Sequence, residues 1–264
     1  MSHHLVEVKD LTYAYPDGHQ ALRGVSFRIT HGEAVGIVGA NGAGKSTLLL
    51  HLLGVLFPEQ GAVRVGDVPV TRQTLSQVRR SVGMIFQDPD DQLFMPTVFE
   101  DVAFGPFNQG LPPDEVEERV KQALTTVGAL HLRDRPPYKL SGGEKRSVAI
   151  ATVLAMAPDI LVMDEPSSAL DPLSRRRLIN LLAGFRHTKI IATHDLDLVF
   201  DLCERTIVLG QGRVIADGPT AAIFRDQRVL DAGHLEPPLR MQACPVCGQP
   251  AGLEPRIARR TVRD

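Results

Sequence analysis

Apolar residues in this chain gather in short runs bounded by glycine, proline and aspartate, and that spacing predicts its strands. Runs at 5–11 and 22–30 are rich in β-branched and apolar residues, with a Pro16-Asp17-Gly18 turn between them. Residues 34–38 read as a buried strand from their length and from the flanking Gly32 and Gly39. A glycine-rich loop follows and leads into helix-like composition at 46–53. Residues 62–65 and 68–71 flank Gly66-Asp67, the signal of a hairpin, and a further buried strand is expected at 82–86.

From Gln87 to about Pro158 strand signals become scarce. Val116, Val120, Ala123, Leu124 and Val127 recur at the helical period and predict a helix over 115–127, with Pro112 and Pro113 ahead of it, where proline is tolerated. A second helix is expected over 143–157. Strands return at 160–163 and 189–193 with a helix at 173–182 between them, and 205–209 and 213–216 flank Gly210-Gln211-Gly212 as a last hairpin. The plan is a mixed α/β core over 5–230, interrupted by a helical insert at about 87–158. Residues 231–264 are richer in Pro and Arg and less periodic, and are expected to form a separate tail.

Composition narrows the function classes. The 264 residues carry 29 Lys+Arg against 31 Asp+Glu, a net charge of −2, so there is no basic stripe for a nucleic-acid backbone. With 43% hydrophobic and 23% charged residues the chain has the make-up of a folded protein. The longest apolar stretch, 148–157, is about half of the ~18 residues that a bilayer span needs. The start, MSHHLVEVKD, lacks a signal-peptide core, so a cytosolic location is expected. Three cysteines, Cys203, Cys244 and Cys247, make no disulfide framework.

The chemistry sits at the ends of the predicted strands. Gly39-Ala40-Asn41-Gly42-Ala43-Gly44-Lys45-Ser46-Thr47 fits the phosphate-binding pattern G-x-x-x-x-G-K-[ST]. Its glycines let successive backbone N–H groups point at phosphate oxygens, Lys45 supplies a charge to the β- and γ-phosphates, and Ser46 offers a hydroxyl to Mg²⁺. The run Ile160-Leu161-Val162-Met163 ends in Asp164 and Glu165. Asp164 is placed to hold Mg²⁺, and Glu165 to act as general base on the attacking water. His194 and Gln87 end two other strands; the first is placed to reach the γ-phosphate and water, the second Mg²⁺ or the water. Ser141-Gly142-Gly143-Glu144 precedes an apolar helix and forms a second anion site or a helix cap.

Taken in order, the phosphate loop, Gln87, Leu140-Ser-Gly-Gly-Glu-Lys-Arg146, the strand ending in Asp164-Glu165, Ser168-Ala-Leu-Asp171 and His194 closely resemble the nucleotide-binding domain of ABC ATPases. The resemblance covers about residues 5–225 and implies a P-loop NTPase core with an antiparallel β subdomain and a helical insert. It also implies ATP and Mg²⁺ as ligands and a head-to-tail homodimer. In that dimer Ser141, Gly142, Gly143 and Glu144 of one subunit close on the ATP held by the other, Asp171 lies in the loop between the two sites, and Tyr15 stacks on adenine. Phe86-Gln-Asp-Pro-Asp-Asp-Gln-Leu-Phe94 and Pro96-Thr-Val-Phe-Glu-Asp-Val-Ala-Phe-Gly105 are similar to the ATPases of energy-coupling-factor transporters, nearest to the cobalt and nickel importers. That likeness implies a peripheral protein on the cytoplasmic face of the cell membrane. Its partners would be a transmembrane coupling subunit and a substrate-binding membrane subunit, with Phe94 and Phe99 expected at the docking surface. Vitamin uptake is one alternative; a soluble ABC ATPase acting on nucleic acid or ribosomes is the other. Cys244 and Cys247, in a Cys-x-x-Cys, supply half of a zinc or other transition-metal site, or an incidental dithiol.

Overall fold

The structure is a computed structural model that describes residues 4–185 and 187–242. In chain order the elements begin with β1 (His4–Ala14), β2 (Gln20–Thr30), β3 (Ala34–Val38), α1 (Lys45–Leu52), β4 (Gln60–Val65) and β5 (Val68–Pro69). They continue with α2 (Leu75–Ser81), β6 (Val82–Ile85), α3 (Val98–Asn108), α4 (Pro113–Thr126), α5 (Gly142–Ala155), β7 (Ile160–Asp164) and α6 (Pro172–Gly184). The last are β8 (Thr188–Ala192), α7 (Leu196–Leu202), β9 (Arg205–Gly210), β10 (Arg213–Pro219), α8 (Thr220–Ile223) and α9 (Gln227–Ala232).

The strands form two sheets. One is antiparallel, in the order β2-β1-β4-β5; the other has the order β10-β9-β3-β8-β7-β6 and is parallel from β9 to β6. The parallel strands read as unbroken apolar runs because both their faces are covered. Val35 and Ile37 of β3, Ile160 and Val162 of β7, and Ile190 of β8 face the antiparallel sheet and α1. Their neighbours Val38, Leu161, Met163 and Ile191 face α6 and α7 on the other side. Side chains that alternate across a strand explain this split.

The insert has its own core, in which Val98 and Val102 of α3, Val116, Val120 and Leu124 of α4, and Val148 and Ala151 of α5 pack together. Helix α5 ties it to the main body, since its Ile150 and Val153 belong to the apolar layer over the parallel sheet. α3 starts at a reciprocal cap, with Thr97 Oγ1 and Glu100 each bonded to the other's backbone N–H. The helices α2, α3 and α7 were not legible as separate elements; α2 and α7 have only seven residues each, too few for a clear period.

Composition set residues 231–264 apart as a tail, but 231–242 return to the main body. Leu235 and Met241 pack on the layer formed by α6 and α7. Cys203 caps the C-terminal end of α7 and is buried.

Candidate active site

The parallel strands deliver the predicted residues to one edge. Ile37 of β3 pairs with Ala192 of β8, and Ala192 pairs with Asp164 of β7. The phosphate loop, Asp164-Glu165 and Thr193-His194 therefore all leave the sheet at its carboxyl end, where α/β sheets bind ligands.

A cavity of about 410 Å³ lies there, lined by Tyr15, Asn41, Gly42, Gly44, Lys45, Ser46, Thr47, Gln87, Glu165 and His194. Gly42 and Gly44 hold φ of 76° and 102°, in the region that side chains disfavour, and Gly44 opens directly into α1. A Cβ on Gly44 would also come within 2.7 Å of the Ala21 carbonyl. The α1 N-terminus thus aims free N–H groups at the cavity. Three of the predicted loop residues do not line it. The carbonyls of Gly39 and Ala40 accept from Lys45 Nζ at 2.8 and 3.2 Å, and Ala43 is packed into the core. Burial lowers the Lys45 pKa, and the nearby Glu165 and Asp164 partly restore it.

Asp164 is buried, and its Oδ1 has no hydrogen-bond partner. Burial raises its pKa, while a hydrogen bond from Ser46 opposes the rise. A buried carboxylate oxygen without a partner, next to the Ser46 hydroxyl, is a donor set suited to Mg²⁺.

Glu165 follows at φ 44°, a strained backbone for a residue with a side chain. Its N–H is fixed to the Ala192 carbonyl at 2.8 Å. Its carboxylate accepts from Thr193 Oγ1 at 2.8 Å and from the His194 backbone N–H at 3.1 Å, and His194 Nδ1 lies 2.9 Å away. Thr193 was not anticipated as an orienter of Glu165. Its position between the β8 run and His194 is the signal that was there to use.

Tyr15 stands at the cavity rim with its hydroxyl 3.1 Å from Thr47 Oγ1, and its ring meets Tyr13 edge-on at 5.2 Å. Tyr13 is the packing member of the pair, placed against the core and against His51.

Gln87 is held by a residue that sequence reasoning passed over. Arg146 of α5, itself buried, donates to the carbonyls of Phe86 and Gln87 at 2.6 and 2.5 Å. Lys145 adds an ion pair to Asp90 at 2.6 Å. Gln92 bridges the same strands and helix, accepting from Phe86 N and donating to the Ala149 carbonyl and Thr152 Oγ1.

Ser141, Gly142, Gly143 and Glu144 do not join the first cavity. Ser141 caps α5, and the Glu144 carboxylate takes hydrogen bonds from the Ser141 N–H and hydroxyl at 2.8 Å each, which lowers its pKa. They line a separate groove with Asp171 and Ser174. Asp171 caps α6 and accepts from Ser174 Oγ at 2.6 Å.

The model of the ABC transporter family matches residues 22–168, more than half of the chain. The chain belongs to the ABC transporter ATPases. Among its relatives, a putative ABC transporter ATP-binding protein of Geobacter sulfurreducens is 68% identical over 249 residues, spanning 94% of this chain and 100% of that protein. The energy-coupling factor transporter ATP-binding protein EcfA of Methanothermobacter thermautotrophicus is 47% identical, spanning 89% of this chain and 77% of that one. A solved structure of cbiO1 from Clostridium perfringens, described as part of the ABC transporter complex cbiONQ, aligns with TM-score 0.77 and 41% identity over 87% of this chain and 94% of that one. This ABC ATPase is of the energy-coupling-factor type, and its activity is ATP hydrolysis coupled to transport.

Among the described residues no helix is long and apolar enough to cross a membrane, and no three His, Cys, Asp or Glu gather to hold a metal. Cys244 and Cys247 lie outside the described residues. Of the aromatic residues expected at a docking surface, Phe94 is exposed and meets Phe104 edge-on at 5.1 Å, with Phe107 also exposed. Phe99 is instead half-buried against the insert core, with the Arg133 guanidinium 4.5 Å from its ring centre.

Proposed function

We propose that this ABC ATPase powers cobalt or nickel uptake as a head-to-tail homodimer, docked from the cytoplasmic side on transmembrane and substrate-binding subunits of an energy-coupling-factor importer. The observation that carries the dimer is the separation of the two anion sites. The phosphate loop lines one cavity and Ser141–Glu144 another, so a single chain supplies two halves of different sites. The substrate assignment leans on the resemblance of residues 86–105 to the ATPases of cobalt and nickel importers.

In this reading Lys45 and the α1 N-terminus hold the β- and γ-phosphates, and Tyr15 stacks on adenine. Ser46, Gln87 and Asp164 would hold Mg²⁺, which neutralises charge on the phosphates. Glu165 takes the proton of the attacking water as ATP and water become ADP and phosphate. Thr193 and His194 orient that carboxylate, and His194 is exposed enough to turn toward the γ-phosphate. Ser141, Gly142 and Gly143 close on the nucleotide of the partner, and Asp171 lies between the sites. Phe94 and Phe104 form the membrane-subunit contact. Cys244 and Cys247 are a candidate zinc or other transition-metal pair, and inductively coupled plasma analysis of the purified chain decides it.

The test is uptake by vesicles carrying the chain with its co-purifying membrane proteins. ATP-dependent accumulation of cobalt or nickel that disappears in Lys45→Ala supports the reading. Uptake of a vitamin alone would replace the cargo, and co-purification with nucleic acid instead of membrane proteins would replace the function.

A further inference from the structure

After α9 the chain runs back across the molecule and docks on α7, the short helix that begins two residues after His194. Arg240 makes the central contact. Its Nε lies 2.8 Å from Asp197 and its Nη1 2.7 Å from Asp201, one turn further along α7. Its guanidinium also lies 5.2 Å from the centre of the Phe200 ring. The Leu239 N–H donates to the other Asp197 oxygen at 2.9 Å. These charges are sheltered, with the Arg240 side chain 11% exposed and that of Asp201 fully buried.

α7 also meets the core. Its cap Asp195 pairs with Arg175 of α6 through contacts of 2.6 and 2.8 Å. Val199 seats over Gly36 of β3, where a Cβ would come within 2.5 Å of it. Arg176 lies 3.5 Å from Asp201. A seven-residue helix is not stable by itself, and two carboxylates four residues apart repel each other unless a cation lies between them. Arg240, from the C-terminal strap, is the cation that bridges both carboxylates, and removing it takes away their shared partner while Arg176 stays beside Asp201.

We propose that Arg240 is a positioning residue for ATP hydrolysis. The strap it anchors holds α7, and through α7 it holds His194 against Glu165. His194 meets Glu165 through both its backbone N–H and its Nδ1, so a shift of α7 moves these contacts directly. The inference rests on the roles given above to Glu165 and His194.

Steady-state ATP hydrolysis by the full-length chain tests it, in Arg240→Ala, Arg240→Lys, Asp197→Asn, His194→Ala and the double variant Arg240→Ala/His194→Ala. Arg240→Ala is expected to lower kcat roughly tenfold through misplacement of the site. KM for ATP should stay within about twofold, because the phosphate loop is untouched. Asp197→Asn should shift kcat in the same direction, and Arg240→Lys should recover part of the loss. In the His194→Ala background the Arg240→Ala change should cost less than it does alone, because only the backbone N–H contact to Glu165 is left to displace. Fully additive losses would mean that Arg240 serves the fold alone and would overturn the inference, as would an unchanged kcat in both folded Arg240→Ala and Asp197→Asn. Should Arg240→Ala fail to fold, Asp197→Asn with and without His194→Ala gives the same decision. An unchanged kcat in His194→Ala would remove the assignment of His194 and this inference with it, whereas additivity removes the inference alone.

Discussion

Asp164 shows how one side chain carries opposed demands. Its Oδ1 is buried without a partner, and burial is the leading cause of its raised pKa. A carboxyl group whose pKa is higher in the folded chain favours the fold fully at low pH, and that contribution is lost as pH rises through the raised value. As pH rises Asp164 therefore becomes a cost to the ligand-free chain, one that a bound Mg²⁺ would offset. Asp164→Asn should raise the melting temperature of the ligand-free chain at neutral pH, and the gain should shrink in acid. The same variant should lose the Mg²⁺-dependent part of its hydrolysis. A lower melting temperature at neutral pH would contradict the account. At Glu165, the left-handed backbone and the contacts from Thr193 and His194 describe a carboxylate held in place rather than a solvated turn. Glu165→Gln should keep ATP binding and slow hydrolysis by about 10²–10⁴-fold, the usual size of a general-base contribution, as read by single-turnover kinetics.

Among the elements, α5 does the most linking. Its first turn presents Ser141–Glu144, its Arg146 holds the carbonyls of Phe86 and Gln87, and its apolar faces join the insert core to the main sheet. Burial lowers the Arg146 pKa, and Asp88 nearby raises it. Hydrogen bonds from a charged donor are worth about 1.5–3 kcal/mol each, so losing two in Arg146→Met should destabilise the chain by about 3–6 kcal/mol in urea unfolding. It should also weaken the response to Mg²⁺ more than ATP affinity, because Gln87 loses its anchor. An Mg²⁺ titration identical to that of the unmodified chain would rule out the link.

For the whole molecule, the question is how the two half-sites meet. If they meet in a second copy, Glu165→Gln should shift from monomer to dimer on adding ATP and Mg²⁺ in size-exclusion chromatography with light scattering. Ser141→Arg, which would crowd the partner's phosphate in such a dimer, should abolish the shift while leaving nucleotide binding in place. On the outer face, Phe94→Asp with Phe104→Asp should reduce assembly with membrane subunits without loss of ATP binding. Phe99→Asp should instead lower stability, since that ring packs inside the insert.

Much of this was legible in the chain itself. The glycine loop, the strand-end acids and His194 could be placed because local spacing fixes them: a strand that ends in an acid ends at the sheet edge whatever lies around it. The insert followed from the loss of strand signals near Gln87, and the antiparallel sheet from the resemblance that the ordered motifs carry. The contacts that set the site's geometry were not legible. Arg146 to Gln87, Thr193 to Glu165 and Arg240 to α7 join residues whose partners are chosen by packing, with no recurring spacing in the sequence. The same reason kept residues 231–242 hidden: their few apolar positions have no period, and only the packing of Leu235 and Met241 and the charged face of α7 show where they belong.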